Sequence, residues 1–236
     1  MYLDYLQYQK FYNSSIGKIV SSTIKKKIKK YCFVYENQSI GYFGYADPFV
    51  SFDLEKVNSS FYYSKRLGIS KNKEIETLQV LIDEEKIPCQ DSYFDHIVAI
   101  HHLENSFNVK NSLREIWRSL APEGKAYIIL PNKKSSWYLS SKSPFSTGFG
   151  YSKNQLSNLF EQSFFDVQFI DRLIYFPNFN NKLFLKNIFL IDKVSSIFFR
   201  YFNGVYLCVL KKRIFAHPKN FDFAKNSLVK KVIKNF

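Results

Sequence analysis

The stretch Asp83–Asn132, DEEKIPCQDSYFDHIVAIHHLENSFNVKNSLREIWRSLAPEGKAYIILPN, decides the fold. Phe94–Ile100 within it is a mostly apolar run, the pattern of a parallel strand covered on both faces. His101–Val109 is the loop that follows. Asn111–Leu120 places Leu113, Ile116, Trp117 and Leu120 on one side of a helix, and Ser112 and Glu115 have the spacing of a capping box. Pro122 and Gly124 stop that helix, and Lys125–Leu130 is a second apolar strand. Strand, helix and strand over this length predict a right-handed parallel crossover.

Working outward, Ser39–Gly44, Phe61–Tyr63 and Thr77–Ile82 read as three earlier strands. The first runs into Gly44-Tyr45-Ala46-Asp47-Pro48, where Pro48 suits the first turn of a helix whose apolar residues are Phe49, Phe52, Leu54 and Val57. Ahead of them, Ser14 or Ser15 caps a helix to about Lys30. Its Ile16, Ile19, Val20, Ile24 and Ile28 recur at helical spacing, and its other face carries Lys25, Lys26, Lys27, Lys29 and Lys30. Residues 1–13 are aromatic and polar and receive no element. Downstream, Ser135–Tyr151 is rich in Ser, Gly and Pro. Its length exceeds what a compact domain needs for a connection, which marks a functional loop or lid. Ser152 and Gln155 fit a second capping box, opening a helix with Leu156, Leu159 and Phe160. Phe165–Tyr175 reads as a strand, Asn181–Asn203 as one or two helices, and Gly204–Leu210 as a last strand.

Composition bounds the function. A chain of 236 residues suffices for one large α/β domain or two small ones. The net charge is +14. That charge either marks an anionic partner, such as nucleic acid or an anionic membrane surface, or reflects lysine-rich composition with solvated side chains. Lys outnumbers Arg, whereas bidentate phosphate recognition favours Arg. Cys32, Cys89 and Cys208 lie far apart, no Cys or His pair has metal-ligand spacing, and no metal site is expected. The N-terminal MYLDYLQYQK lacks the apolar run of a signal peptide, and no stretch reaches the ~18 apolar residues of a span. A cytoplasmic protein is expected, with no integral membrane segment. Its single domain would cover residues 1–214, followed by a basic tail over 215–236 that frays.

In a doubly wound sheet, ligands sit beyond the carboxyl ends of the strands near the point where strand order reverses. Gly44–Pro48 and His101–Asn108 are both loops of that kind. A glycine at 44 lets the backbone approach a ligand, or simply makes a tight strand–helix turn. His101, His102 and Glu104 are candidates for acid–base work. The alternative for the histidines is a bond to loop backbone, and for Glu104 it is solvation. Trp137, Tyr138 and Phe145 either form the acceptor side of a lid or pack their own loop.

Residues from about Phe11 to Ile214 resemble a class I S-adenosylmethionine-dependent methyltransferase of the methyltransferase type 11 group. The resemblance rests on Asp83-x3-Ile87-Pro88, Phe94-Asp95, Leu103-Glu104, Leu113-Arg114-Glu115-x2-Arg118-x-Leu120-x-Pro122-x-Gly124 and Pro131-Asn132. It extends to Phe11-Tyr12-x-Ser14-x-Ile16-Gly17 in front, Gly44-Tyr45-Ala46-x-Pro48 in the middle, and Trp137 with Pro144-Phe145-x2-Gly148-x2-Tyr151-Ser152-x2-Gln155-Leu156 behind. It implies an α/β, Rossmann-like, doubly wound and mostly parallel seven-stranded sheet, with helices on both faces and an antiparallel last strand. It also implies S-adenosylmethionine as cofactor and methyl transfer to an acceptor that the residues do not name. Gly44, Tyr45 and Ala46 would close over the methionine part, Asp83 and Glu84 would lie at the adenine, and Ile100 and His101 would meet the amino-acid end. His101 is the candidate catalytic residue. Tyr42 stands where the family has an acid, Ala46 and Pro48 where it has glycines, and Asn105 where a histidine is common. Tyr63-Ser64 lacks the acid that holds the ribose hydroxyls. The rival reading is a non-catalytic methyltransferase-like protein that binds RNA or a protein partner through its basic surface.

Overall fold

The computed structural model describes residues 3–50, 56–69, 77–140, 143–179 and 181–214. The basic tail 215–236, with Phe52 and Leu54, lies outside the described residues. In chain order the elements are α1 (Tyr5–Asn13), α2 (Ser15–Tyr31), β1 (Ser39–Gly44), β2 (Asn58–Ser64), β3 (Leu78–Ile82), β4 (Phe94–Ile100), α3 (Val109–Ser119), β5 (Leu120–Pro131), α4 (Ser136–Leu139), α5 (Lys153–Gln162), β6 (Phe165–Leu173), α6 (Lys182–Lys186), α7 (Ile188–Phe198) and β7 (Val205–Lys212). Seven strands form one sheet in the order β3-β2-β1-β4-β5-β7-β6. The pairings from β3 through β5 are parallel, and β7 runs antiparallel between β5 and β6. The doubly wound, mostly parallel sheet with an antiparallel last strand is therefore as expected.

The period of two along each strand sorts the core into two layers. Tyr42, Phe61, Tyr63, Val98, Ile100, Tyr127 and Ile129 face one way, onto α1, α2 and Ile188 of α7. Phe43, Tyr62, Ile97, Ala99, Ala126 and Ile128 face the other way, onto α3 and α5. Ile16, Val20, Ile24 and Ile28 of α2 are buried along one stripe, each such side chain being worth about 1.5–3 kcal/mol.

Local chemistry sets the element ends. Ser14 terminates α1 and caps α2: its hydroxyl accepts from the Gly17 amide at 3.1 Å and donates to the Phe11 carbonyl at 2.6 Å. The Ser152–Gln155 capping box is present at the start of α5. The Ser112–Glu115 box is not. Asn108 caps α3 instead, so the helix begins earlier, and Ser112 is buried against the Ser106 hydroxyl at 2.7 Å. Glu115 accepts from the Ile87 amide and from Arg118, which also grips the carbonyls of Ile87 and Cys89. Pro122 and Gly124 do not end the helix. It ends at Ser119, and residues 121–124 fall in a register shift of β5, where Leu120 pairs with Phe94 and Lys125 with His96.

Asp47–Phe49 form one 3-10 turn with Pro48 in its first turn, and most of the helix expected to follow it falls on residues 51–55, outside the described residues. Residues 5–13, given no element by their sequence, form α1, with an Asp4–Gln7 capping box at its start. The Ser135–Tyr151 loop contains α4 and a short turn at Pro144–Ser146.

Candidate active site

Strands β1, β2 and β4 end on the same edge of the sheet. The order reverses between β1 and β4, which makes the crevice between them the switch point. Gly44 closes β1 with φ +79°, and the next amide, of Tyr45, donates to the Ile100 carbonyl at 2.9 Å. A Cβ on Gly44 would stand 2.1 Å from that carbonyl oxygen, so only glycine lets the loop cross the end of β4.

What fills the crevice is α1. Tyr5, Tyr8 and Tyr12, spaced three and four apart, are all buried. Tyr8 and Tyr12 stack with Tyr45 at ring-centroid distances of 5.2 and 5.6 Å, and Tyr5 meets Tyr45 edge-on at 5.1 Å. The hydroxyls of Tyr63 and Tyr5 donate to Asp47 Oδ1 at 2.8 and 3.3 Å. Asp47 Oδ2 is buried with no hydrogen-bond partner. Burial raises the Asp47 pKa, partly offset by these hydroxyls.

His101 lies at the centre, on a left-handed residue with φ +57° directly after β4. Tyr12 Oη is 2.7 Å from its Nε2, and Glu104 Oε1 is 3.0 Å from its Nδ1. All three residues are buried. The carboxylate accepts from Nδ1–H, which leaves Nε2 to accept from the Tyr12 hydroxyl. Desolvation, then the nearby Tyr8 and Glu104, hold the Tyr12 pKa well above the ordinary phenol value. Glu104 Oε2 has no partner. His102, its neighbour in sequence, is different. Both its ring nitrogens are buried without partners, and desolvation lowers its pKa to about 4.

The Ser135–Tyr151 loop is docked over this group. Phe145 lies 5.0 Å from the His101 ring, and Trp137 lies 5.9 Å from Phe145 and 6.2 Å from Phe11. Trp137 Nε1 donates to the Phe176 carbonyl at 2.6 Å. The Phe149 amide donates to the Glu104 carbonyl at 2.9 Å, and Gly148, at φ +71°, approaches that carbonyl more closely than any Cβ would permit.

Gly44, Tyr45, Ala46, Ile100, His101 and Phe145 thus come together, with Trp137 one ring away. Asp83 and Glu84 sit past the end of β3 on the same sheet edge. Asp83 is exposed and accepts from the Glu85 amide at 3.1 Å, while Glu84 is buried with Oε1 unpartnered. Tyr138 donates to the Gly148 carbonyl at 3.3 Å, within its own loop. No hydrogen bond or ring contact among the described residues joins Asp83, Glu84 or Tyr138 to His101 or Tyr45. The histidines do not cap the loop through backbone: both hydrogen bonds of the His101 ring are to side chains, and the His102 ring nitrogens make none. Sequence reasoning missed Tyr5, Tyr8, Tyr12 and Asp47. The available signal was the tyrosine spacing behind an Asp4–Gln7 box.

The donor set suits a cationic ligand such as S-adenosylmethionine: Asp47 and Glu104 each keep one carboxylate oxygen free in the crevice. The space does not suit it in this conformation, because the rings of α1 occupy the room above Gly44–Ala46. A cofactor here requires α1 to move.

Residues 52–128, 77 of the 236, match a family model described as a methyltransferase domain. None of the curated proteins matches the chain. Among solved structures, a chain of the complex between the Haloferax volcanii Trm112 methyltransferase activator and its methyltransferase is 13% identical, with a TM-score of 0.63 over 88% of this chain and 97% of that one. A SAM-dependent methyltransferase from Archaeoglobus fulgidus is 17% identical, with a TM-score of 0.59 over 88% and 98%. The [4+2]-cyclase SpnF is 13% identical, with a TM-score of 0.61 over 86% and 84%. At these identities the likeness is one of fold.

Proposed function

We propose that this chain, whose residues 52–128 match a methyltransferase domain and whose sheet has the doubly wound order described above, is a class I methyltransferase of the type 11 group that transfers a methyl group from S-adenosylmethionine to an acceptor held against His101. The observation that carries the reading is the buried Tyr12–His101–Glu104 chain beside the Gly44–Ala46 loop, at the switch point of the sheet. When bound, the cofactor supplies an electrophilic methyl on a sulfonium that is already a good leaving group. The protein's task is to bring the acceptor into line, where proximity can contribute roughly 7–11 kcal/mol, and to take its proton if it has one. A positioned base contributes about 10²–10⁴-fold. His101 suits that role, because Glu104 fixes its tautomer and leaves Nε2 as the acceptor. The Tyr12 hydroxyl marks where an acceptor O–H would sit once α1 has withdrawn. Asp47 and Glu104 are the anionic partners for the cofactor's positive groups, Gly44 and Ala46 the close backbone approach, and Asp83 with Glu84 the adenine side. Phe145 and Trp137 wall the acceptor.

Isothermal titration of the full chain with S-adenosylmethionine and with its demethylated product tests this reading. Micromolar binding of both is expected, and an absence of heat at millimolar ligand would sink it.

The filled crevice favours a second reading, a non-catalytic methyltransferase-like protein that binds RNA or a protein partner through its basic surface. Fold does not dictate chemistry. Steeply salt-dependent RNA binding without cofactor binding would select this alternative.

A further inference from the structure

Helix α7 is docked by its narrow side. Ile188 is buried, Ile191 packs on the core, and Asp192 Oδ1 accepts from the Tyr175 amide at 2.6 Å. Most of the side chains it turns outward are apolar, with Lys193 among them: Phe189, Leu190, Ile197 and Phe198 are 65–76% exposed. Phe199, Tyr201 and Phe202 continue this surface beyond the helix and are exposed as well. A globular protein rarely leaves so many large apolar side chains facing water along one short stretch.

The surroundings are basic. Phe189 lines a cleft of about 700 Å³ together with Lys26, Lys27, Lys29 and Lys30 of α2, against the single acid Asp192. Lys27 pairs with Asp171, but Lys26 and Lys29 are exposed and make no ion pair among the described residues. Lys193 projects from the apolar face of α7 itself. An apolar helical face fringed by lysines is the pattern of a helix lying in the headgroup region of a bilayer, its rings among the acyl chains and its lysines at the phosphates.

We propose that α7 and the basic face of α2 form one docking surface for an anionic lipid bilayer. The eleven residues of α7 are about 16 Å long, too short to cross a bilayer core, so the helix lies along the surface. The charge argues against other occupants. Protein–protein interface cores are depleted in lysine. A second copy would oppose two lysine-rich faces of a chain with net charge +14. Residues 215–236 carry five lysines against Asp222, the same sign as the patch they would have to cover. The surface lies apart from His101, so the proposal stands whether or not the crevice binds cofactor.

Co-sedimentation of the full chain with vesicles tests it, using phosphatidylcholine alone and phosphatidylcholine mixed with phosphatidylglycerol. Binding to the anionic vesicles at least tenfold tighter than to the neutral ones is expected, weakening with salt. The double variant Phe189→Ser/Phe198→Ser loses at least tenfold in vesicle affinity with an unchanged melting temperature, since both rings are solvent-exposed. Lys26→Gln/Lys29→Gln weakens anionic binding several-fold and leaves the neutral background unchanged. The proposal is overturned if the wild type fails to pellet with anionic vesicles, or if the phenylalanine variant pellets as the wild type does. It is also overturned if the wild type is a dimer in solution that the phenylalanine variant dissolves, because a second copy then covers the face.

Discussion

The Tyr12 hydroxyl lies 2.7 Å from His101 Nε2, and Glu104 lies 3.0 Å from the other ring nitrogen, with all three residues buried. One imidazole is therefore fixed in tautomer and orientation by two partners, one from the N-terminal helix and one from its own loop. The same contact that orders the candidate base also blocks it.

Tyr12→Phe keeps the stacking on Tyr45 and removes the hydroxyl, leaving a buried imidazole nitrogen unpaired. An unsatisfied buried polar group costs about 1–3 kcal/mol. The urea midpoint is expected to fall by the corresponding amount at an unchanged slope. An unmoved midpoint would mean that Nε2 had found another partner.

A second prediction concerns occlusion by α1. If the open form is a minor population, apparent cofactor affinity is reduced by its fraction. Asp4 caps α1 from its exposed end, one residue before Tyr5, and its carboxylate accepts from the Gln7 amide rather than from a residue of the crevice. Asp4→Ala should destabilise the helix by about 1 kcal/mol. That raises the open fraction, and with it the apparent affinity for S-adenosylmethionine, about fivefold. Calorimetry on the two proteins reads this directly. Equal affinities would show that α1 does not gate the site.

Much of the fold was legible because it is written in local periodicities. Phe94–Ile100 and Lys125–Leu130 are continuous apolar runs, and Ser14 and Ser152 are followed at the right spacing by residues that complete their caps. Where local chemistry offered two answers, the wrong one could look as good. Ser112–Glu115 matches a capping box, but burial of Ser112 against Ser106 and the grip of Arg118 on Glu115 use both side chains otherwise. Helix α1 escaped because its buried face is made of tyrosines, whose hydroxyls blur the apolar stripe. The site was half legible for a related reason. Gly44 and His101 stand at strand ends and can be found there, but Tyr12 is 89 residues from His101, and nothing local announces the pairing.

Gly44→Ala tests the loop on which the crevice depends. The new Cβ would stand 2.1 Å from the Ile100 carbonyl oxygen, at a φ of +79° that L residues rarely adopt. The backbone penalty alone is about 1–3 kcal/mol, and the clash adds to it unless Tyr45 gives up its bond to Ile100. A loss of at least about 2 kcal/mol in denaturant unfolding is expected. Gly68, also at positive φ but with open space around it, is the control. Gly68→Ala carries the backbone penalty without the clash, so a loss as large as that of Gly44→Ala would refute the steric account.

His102 gives the fold a predictable weakness in acid. Its folded pKa is about 4 because burial disfavours the imidazolium and neither ring nitrogen has a partner; Glu104 offsets only part of this. In the unfolded chain the residue titrates near 6.5. Above that pH both states hold a neutral ring and His102 contributes no pH dependence. As the pH falls below 6.5 the unfolded state takes up a proton that the folded state refuses, and stability declines until the folded ring itself protonates near pH 4. The loss accumulates to about 3 kcal/mol over that window. Asp47, whose pKa is raised by burial, acts in the opposite sense in acid, so the comparison must be a difference between two proteins. His102→Leu removes the titrating ring but keeps an apolar side chain against Phe43, whose ring centroid is 5.5 Å away. The gap between wild type and variant in unfolding free energy should shift in the variant's favour as the pH is lowered from 7 towards 4. Parallel curves across that range would place the His102 ring in contact with water.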